Sequence, residues 1–172
     1  MALHTPLTID TMSALKSGDT ITISGIIYTA RDAAHMRMYE AYKNGDAPPF
    51  DYTGNAVFYA GPCPAPLGKP IGSVGPTTAG RMDAYAPALM EAGLKIMIGK
   101  GARAPQVVES IRREGGLYLV AIGGTAALMA KCVQSSEVVA YDDLGTEAVR
   151  KLTVINMPLV VAIDSTGGSI FE

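Results

Sequence analysis

Leu94-Lys95-Ile96-Met97-Ile98-Gly99-Lys100-Gly101, leading through Ala102-Arg103-Ala104 into the run Pro105 to Glu114, decides the fold class. Leu94 to Ile98 is an apolar run of strand length, and Gly99-Lys100-Gly101 is a tight turn. Pro105 to Glu114 opens on proline and sets Val107, Val108 and Ile111 on one helical face. Strand, glycine turn and amphipathic helix make a βα unit, the building block of α/β domains.

The same grammar runs through the flanks. Upstream, Thr20 to Tyr28 alternates polar and apolar residues as a half-buried strand does, after a short helix predicted over Thr8 to Leu15. Ala30 to Lys43, rich in Ala, Met, Arg and Glu, predicts a helix that stops at Asn44-Gly45. Ala56 to Ala60 is a short buried strand, and Arg81 to Ala92 a helical run. Downstream come a strand at Leu117 to Ile122, a turn at Gly123-Gly124-Thr125, a helix over Ala126 to Lys131 and a strand at Val138 to Tyr141. Two β-branched runs, Lys151 to Ile155 and Pro158 to Ile163, close on the turn Asp164 to Gly168. The order predicts a single α/β domain over residues 1–172 with mixed sheets, its turns following strands and preceding helices. Met36, Met38, Met90, Met97 and Met129 fall in these elements and are expected in the core.

Composition narrows the partners. With 172 residues, 48% hydrophobic and 17% charged, the chain can bury a full core. A formal charge of −2 without a polybasic run argues against a nucleic-acid or membrane-surface binder. No apolar run reaches the roughly 20 residues of a membrane span, and the N-terminus lacks the plan of a secretory signal, so a cytoplasmic protein is expected. Cys63 and Cys132 form no C-x-x-C pair and read as reduced thiols. Two cysteines alone cannot hold an iron–sulfur cluster, and no metal site is expected on this chain.

The chemistry gathers at the junctions between strands and helices. The long irregular stretch Gly61 to Gly75, with Pro62, Pro64, Pro66 and Pro70, is a functional-length loop. It delivers Gly75-Pro76-Thr77-Thr78-Ala79-Gly80-Arg81-Met82-Asp83, where Thr77 or Thr78 can cap the following helix and Arg81 offers a planar clamp for a carboxylate. The same residues also suit a plain threonine cap followed by a solvated arginine. Arg31, Lys100 and Arg103 occupy equivalent junctions and are candidates for one cationic cluster with Thr77 and Arg81. His35, one helical turn from Arg31, fits a supporting role. Asp32 and Asp83 sit where helix capping accounts for them. Cys63 has no base placed beside it by any motif, and Gly123-Gly124-Thr125 lacks the full phosphate-binding pattern, so neither a nucleophile nor a nucleotide site is supported.

Several stretches in order resemble one family. They are Ser24 to His35, Gly61-Pro62, Gly75 to Asp83, Gly99-Lys100-Gly101, Ile122-Gly123-Gly124 and Tyr141 to Ala148. Together they are similar to the β subunit of two-subunit class I, iron–sulfur fumarate hydratases and, more distantly, to the β subunit of L(+)-tartrate dehydratase. The resemblance implies a swivelling β/β/α domain that closes over an α subunit, in an α₂β₂ assembly. It implies a [4Fe–4S] cluster carried by three cysteines of that α subunit, and a small C4 dicarboxylate as substrate. It makes Thr77 the residue that exchanges the carbon-bound proton, and Arg31, Arg81 and Lys100 the carboxylate clamp, with His35 and Thr78 in support. The loops Pro64 to Ser73 and Gly99 to Arg103 look more like those of fumarases than of tartrate dehydratases, and a non-catalytic module that binds a dicarboxylate or an α-like partner is the further alternative.

Overall fold

A computed structural model describes residues 1–121 and 126–171. In chain order the elements are β1 (Ala2–His4), α1 (Ile9–Ala14), β2 (Thr20–Thr29), α2 (Asp32–Asn44) and β3 (Ala56–Phe58). A 3₁₀ turn (Ala79–Met82), α3 (Ala86–Glu91), β4 (Ile96–Gly99), α4 (Pro105–Glu114) and β5 (Leu117–Ala121) follow. The chain then runs through α5 (Ala126–Lys131), β6 (Val133–Ala140), a second 3₁₀ segment (Asp142–Glu147) and β7 (Val149–Ile163). This is the expected mixed α/β domain, with one sheet rather than several.

Among the described residues the sheet has seven strands in the order β1-β2-β3-β4-β5-β7-β6, and β7 also pairs with β2. β2, β3, β4 and β5 are parallel neighbours, while β7 runs antiparallel to β2, β5 and β6. The pairing β2-β3-β4-β5-β7-β2 therefore closes on itself. Two long strands make this possible by sharing their edges. Along one edge of β2, Thr22–Ser24 takes β1 and Ile27–Thr29 takes β3. β7 gives Val149–Val154 to β6 and Leu159–Ile163 to β5. Both long strands change register midway, at Gly25 (φ 106) in β2 and near Asn156 (φ 50) in β7. Gly25 has to be glycine: a Cβ there would stand 2.6 Å from Thr5 Oγ1.

Because side chains alternate along a strand, each strand feeds two cores. Ala56, Phe58, Ile96, Ile98, Leu117, Leu119, Leu159 and Val161 pack into the ring interior with Ile21, Ile23 and Ile27. Val57, Tyr59, Met97 and Tyr118 turn outward beneath α2, α3 and α4, against Met38, Leu89, Met90, Val107 and Ile111. Met38, Met90, Met97 and Met129 are buried as expected, but Met36 is exposed on the outer face of α2.

Three expected elements also change. Lys151 to Ile155 and Pro158 to Ile163 are one strand of 15 residues, bent rather than ended at Asn156. β6 begins at Val133, five residues before the expected Val138, because an edge strand hydrogen-bonded to β7 needs no continuous apolar run. The helix expected over Arg81 to Ala92 is split into the 3₁₀ turn and α3. Pro87, in the first turn of α3, cannot donate its N–H and its ring crowds the turn before it. The expected turn Gly123-Gly124-Thr125, with Ile122, lies outside the described residues.

Candidate active site

β2, β3 and β4 run parallel to a common end, where a ligand crevice is expected in such sheets. The chain leaves β2 at Ala30-Arg31, β3 at Tyr59-Ala60-Gly61 and β4 at Lys100. Thr77–Ala79 is threaded between the last two exits. The Thr77 N–H donates to the Tyr59 carbonyl (2.6 Å), the Lys100 N–H to the Thr77 carbonyl (3.3 Å) and the Ala79 N–H to the Lys100 carbonyl (2.9 Å). Thr78 and Lys100 thereby form a parallel bridge, so the threonine loop and the lysine turn share one register.

Arg31 occupies the cap position before α2, with extended backbone (φ −116, ψ −158). Its side chain crosses Gly61: a Cβ on Gly61 would lie 2.9 Å from Arg31 Cδ. Arg31 Nε is buried without a hydrogen-bond partner among the described residues, and its nearest anion, Glu147 Oε1, is 4.0 Å away. Arg81 reaches back to the first residue of α2, placing Nε 2.8 Å and Nη2 2.6 Å from Asp32 Oδ2. Lys100 is exposed and forms no ion pair among the described residues. Arg31 and Thr77 are half-buried, and Thr78, Arg81 and Lys100 exposed, so the site is an open shelf rather than a closed cavity.

His35 lies beneath this shelf, fully buried, with Nδ1 donating to the Arg31 carbonyl over 2.8 Å and the ring edge-on to Tyr59. Burial pushes its pKa down to about 4, so it is a neutral imidazole at pH 7. It fixes the backbone that presents Arg31.

Arg103 does not join the cluster. Its side chain is wholly buried under the shelf, with Nε 2.7 Å from Asp83 Oδ1 and the guanidinium over the rings of Tyr59 and Tyr118. Asp83 also accepts the Ala104 N–H at 2.8 Å, so it is an internal tie rather than a cap of its own helix. Asp32 likewise does more than cap: it is the partner of Arg81. Neither Thr77 nor Thr78 supplies a side-chain cap, because a four-residue 3₁₀ turn follows them instead of a full helix. A carboxylate guest would therefore be held by side chains, with little help from a helix end. Sequence reasoning passed over Asp32 and Gly61 as partners of the arginines, although both adjoin the motifs that carry those arginines.

Cys63 is exposed in the loop after β3 and Cys132 is half-buried after α5, both as free thiols. Among the described residues no group of three His, Cys, Asp or Glu side chains converges to hold a metal ion, and no helix is long and apolar enough to cross a membrane.

The full chain, residues 1–172, matches the family described as fumarase C-terminus. It is 40% identical over 154 residues to the aerobic class I fumarate hydratase of Escherichia coli (strain K12), covering 88% of this chain and 28% of that protein. It is 38% identical over 172 residues to the putative L(+)-tartrate dehydratase subunit beta of Methanocaldococcus jannaschii, covering 96% of this chain and 88% of that one. A putative class I fumarate hydratase of Geobacillus stearothermophilus is 34% identical, with 100% of this chain and 34% of that protein covered. The chain thus spans about a third or less of the fumarate hydratases described here, but most of the length of the tartrate dehydratase subunit. The match runs from end to end over a mixed α/β domain with arginines, lysine and threonine at its parallel strand ends, and the chain belongs to the fumarase C-terminus family.

Proposed function

We propose that this chain is the β subunit of a class I fumarate hydratase, adding water to fumarate to give (S)-malate together with an α subunit in an α₂β₂ assembly. What supports the reading is the placement of Arg31, Thr77, Arg81 and Lys100 on the segments at one end of the parallel strands, with the Thr77 and Lys100 backbones hydrogen-bonded in register. A dianionic C4 substrate needs cations on its carboxylates and a proton carrier at the carbon that does not receive the hydroxyl. Arg31, Arg81 and Lys100 supply the cations. They also stabilise the charge that builds on the adjacent carboxylate as the proton moves.

Thr77 is the proton carrier. A threonine hydroxyl is a poor base near neutral pH, so its activation comes from a carboxylate of the partner once the two subunits close. The open shelf fits such a half-site, and the isolated chain is accordingly inert. His35, neutral and buried, orients Arg31 and takes no proton. Thr78 contributes through its bridge to Lys100.

Class I fumarate hydratases are iron–sulfur enzymes. This chain has two cysteines, fewer than the three or four thiolates that usually hold such a cluster, and the cluster is accordingly assigned to the α subunit. A second reading keeps the site and changes the substrate: the tartrate dehydratase β subunit of M. jannaschii matches this chain along nearly its whole length. Anaerobic assay of the assembled enzyme on fumarate and L-tartrate side by side separates the two. Preference for tartrate selects the second reading, and turnover of neither removes both.

A further inference from the structure

We propose that Asp32 is a positioning residue that holds Arg81 in the orientation needed to take a substrate carboxylate; the inference rests on the dicarboxylate reading above. Both Arg81 contacts, Nε at 2.8 Å and Nη2 at 2.6 Å, fall on the same oxygen, Asp32 Oδ2. This occupies one edge of the guanidinium. Nη1 and the second N–H of Nη2 stay uncommitted among the described residues, and they form the end-on fork that grips a carboxylate with two parallel hydrogen bonds.

Asp32 is well placed to act as a fixed post. It is the first residue of α2, and the start of that helix is anchored by the backbone N–H and ring of His35, both donating to the Arg31 carbonyl at 2.8 Å. Asp32 Oδ1 is buried with no donor among the described residues, so Arg81 is the partner that neutralises this carboxylate. The pair is too exposed, at 50% for Arg81 and 36% for Asp32, to add much to stability. Its effect is on orientation. A free arginine side chain carries rotamer entropy that a ligand would otherwise have to overcome. Asp32 removes part of that cost before the substrate arrives, and it joins the two clamp arginines through adjacent positions, since Arg31 immediately precedes it.

The test uses the assembled enzyme with Asp32→Ala and Asp32→Asn, each alone and in an Arg81→Lys background. Asn keeps an acceptor oxygen for Arg81 but, like Ala, lacks the charge that favours a helix start. Asp32→Ala is expected to raise KM about tenfold with a smaller change in kcat. Asp32→Asn restores KM towards wild type, and Asp32→Ala adds nothing further once Arg81 is lysine. An unchanged KM in Asp32→Ala, equal defects in Ala and Asn, or an undiminished penalty in the Arg81→Lys background overturns the proposal.

A second measurement does not depend on turnover. In the ¹⁵N-labelled chain the Arg81 Nε–H proton is expected to exchange slowly in wild type and Asp32→Asn, and rapidly in Asp32→Ala; equal exchange in all three overturns the proposal. If wild-type enzyme turns over neither dicarboxylate, the functional reading falls, while the exchange data still decide whether Asp32 holds Arg81.

Discussion

Arg103 and Asp83 form a buried ion pair, Nε to Oδ1 at 2.7 Å, that ties the loop after β4 to the 3₁₀ turn after the threonine motif. The Tyr118 hydroxyl, donating 2.8 Å to the Gly101 carbonyl, holds the same loop from the other side. The Thr77–Lys100 register rests on this buried framework.

Breaking one partner of a buried pair strands the other charge. Arg103→Met is therefore expected to lower unfolding stability by about 3–5 kcal/mol, measured by urea denaturation. The double variant Arg103→Met/Asp83→Asn, with no charge left behind, loses less than the single one. A loss under about 1 kcal/mol for Arg103→Met would mean that solvent reaches the pair.

Gly61 sets the position of Arg31. A Cβ there would meet Arg31 Cδ at 2.9 Å, Arg31 Nη1 at 3.1 Å and the Thr146 carbonyl oxygen at 3.1 Å, so in Gly61→Ala the guanidinium has to move. KM for the dicarboxylate should rise about tenfold, the equivalent of about 1.4 kcal/mol. The melting temperature should change little, because the atoms displaced belong mainly to a long, half-exposed side chain. Steady-state kinetics beside a thermal melt check both halves, and an unchanged KM contradicts the placement of Arg31 in the clamp.

His35 makes stability depend on pH. Its pKa falls from 6.5 to about 4 on folding because burial disfavours the charged ring. Between those values the unfolded chain binds the extra proton. The stabilising contribution is thus complete above about pH 6.5 and is lost progressively as pH falls towards 4, on the order of 3 kcal/mol in all. Urea midpoints measured across this window should slope downward toward acid in wild type and flatten in His35→Leu. Equal slopes in the two proteins would assign the pH dependence to other groups.

Local signals carried much of the fold. Proline at the start and Gly115 in a left-handed conformation at the end bound α4 at Pro105–Glu114, as read from sequence. β2 alternates because one face fills the ring. β1 is three residues long, too short for periodicity, and β6 is polar because it lies at an edge. The unbroken course of β7 depends on β2, β5 and β6 holding it across the bend at Asn156, which no local reading of Asn156 and Pro158 conveys.

The site divides in the same way. Arg31 and Lys100 directly follow strands, and Thr77 and Arg81 lie on the segment threaded beside them, so a reading of strand-to-helix junctions groups the four. Arg103 was grouped with them for that reason, but its burial is decided by Tyr59, Asp83 and Tyr118, residues remote in sequence that meet only in the folded sheet. Asp32 had a sufficient local explanation in helix capping, which hid its ion pair with Arg81, 49 positions away.

The central claim is that Thr77 moves the proton while the cations around it hold the dicarboxylate. Anaerobic turnover of fumarate by the cluster-loaded assembled enzyme, wild type against Thr77→Ala, tests it most directly, with substrate binding followed in parallel. The account predicts hydration by wild type and a loss of kcat of at least about 100-fold in Thr77→Ala with binding retained. Thr77→Ala enzyme that hydrates fumarate at the wild-type rate would contradict it.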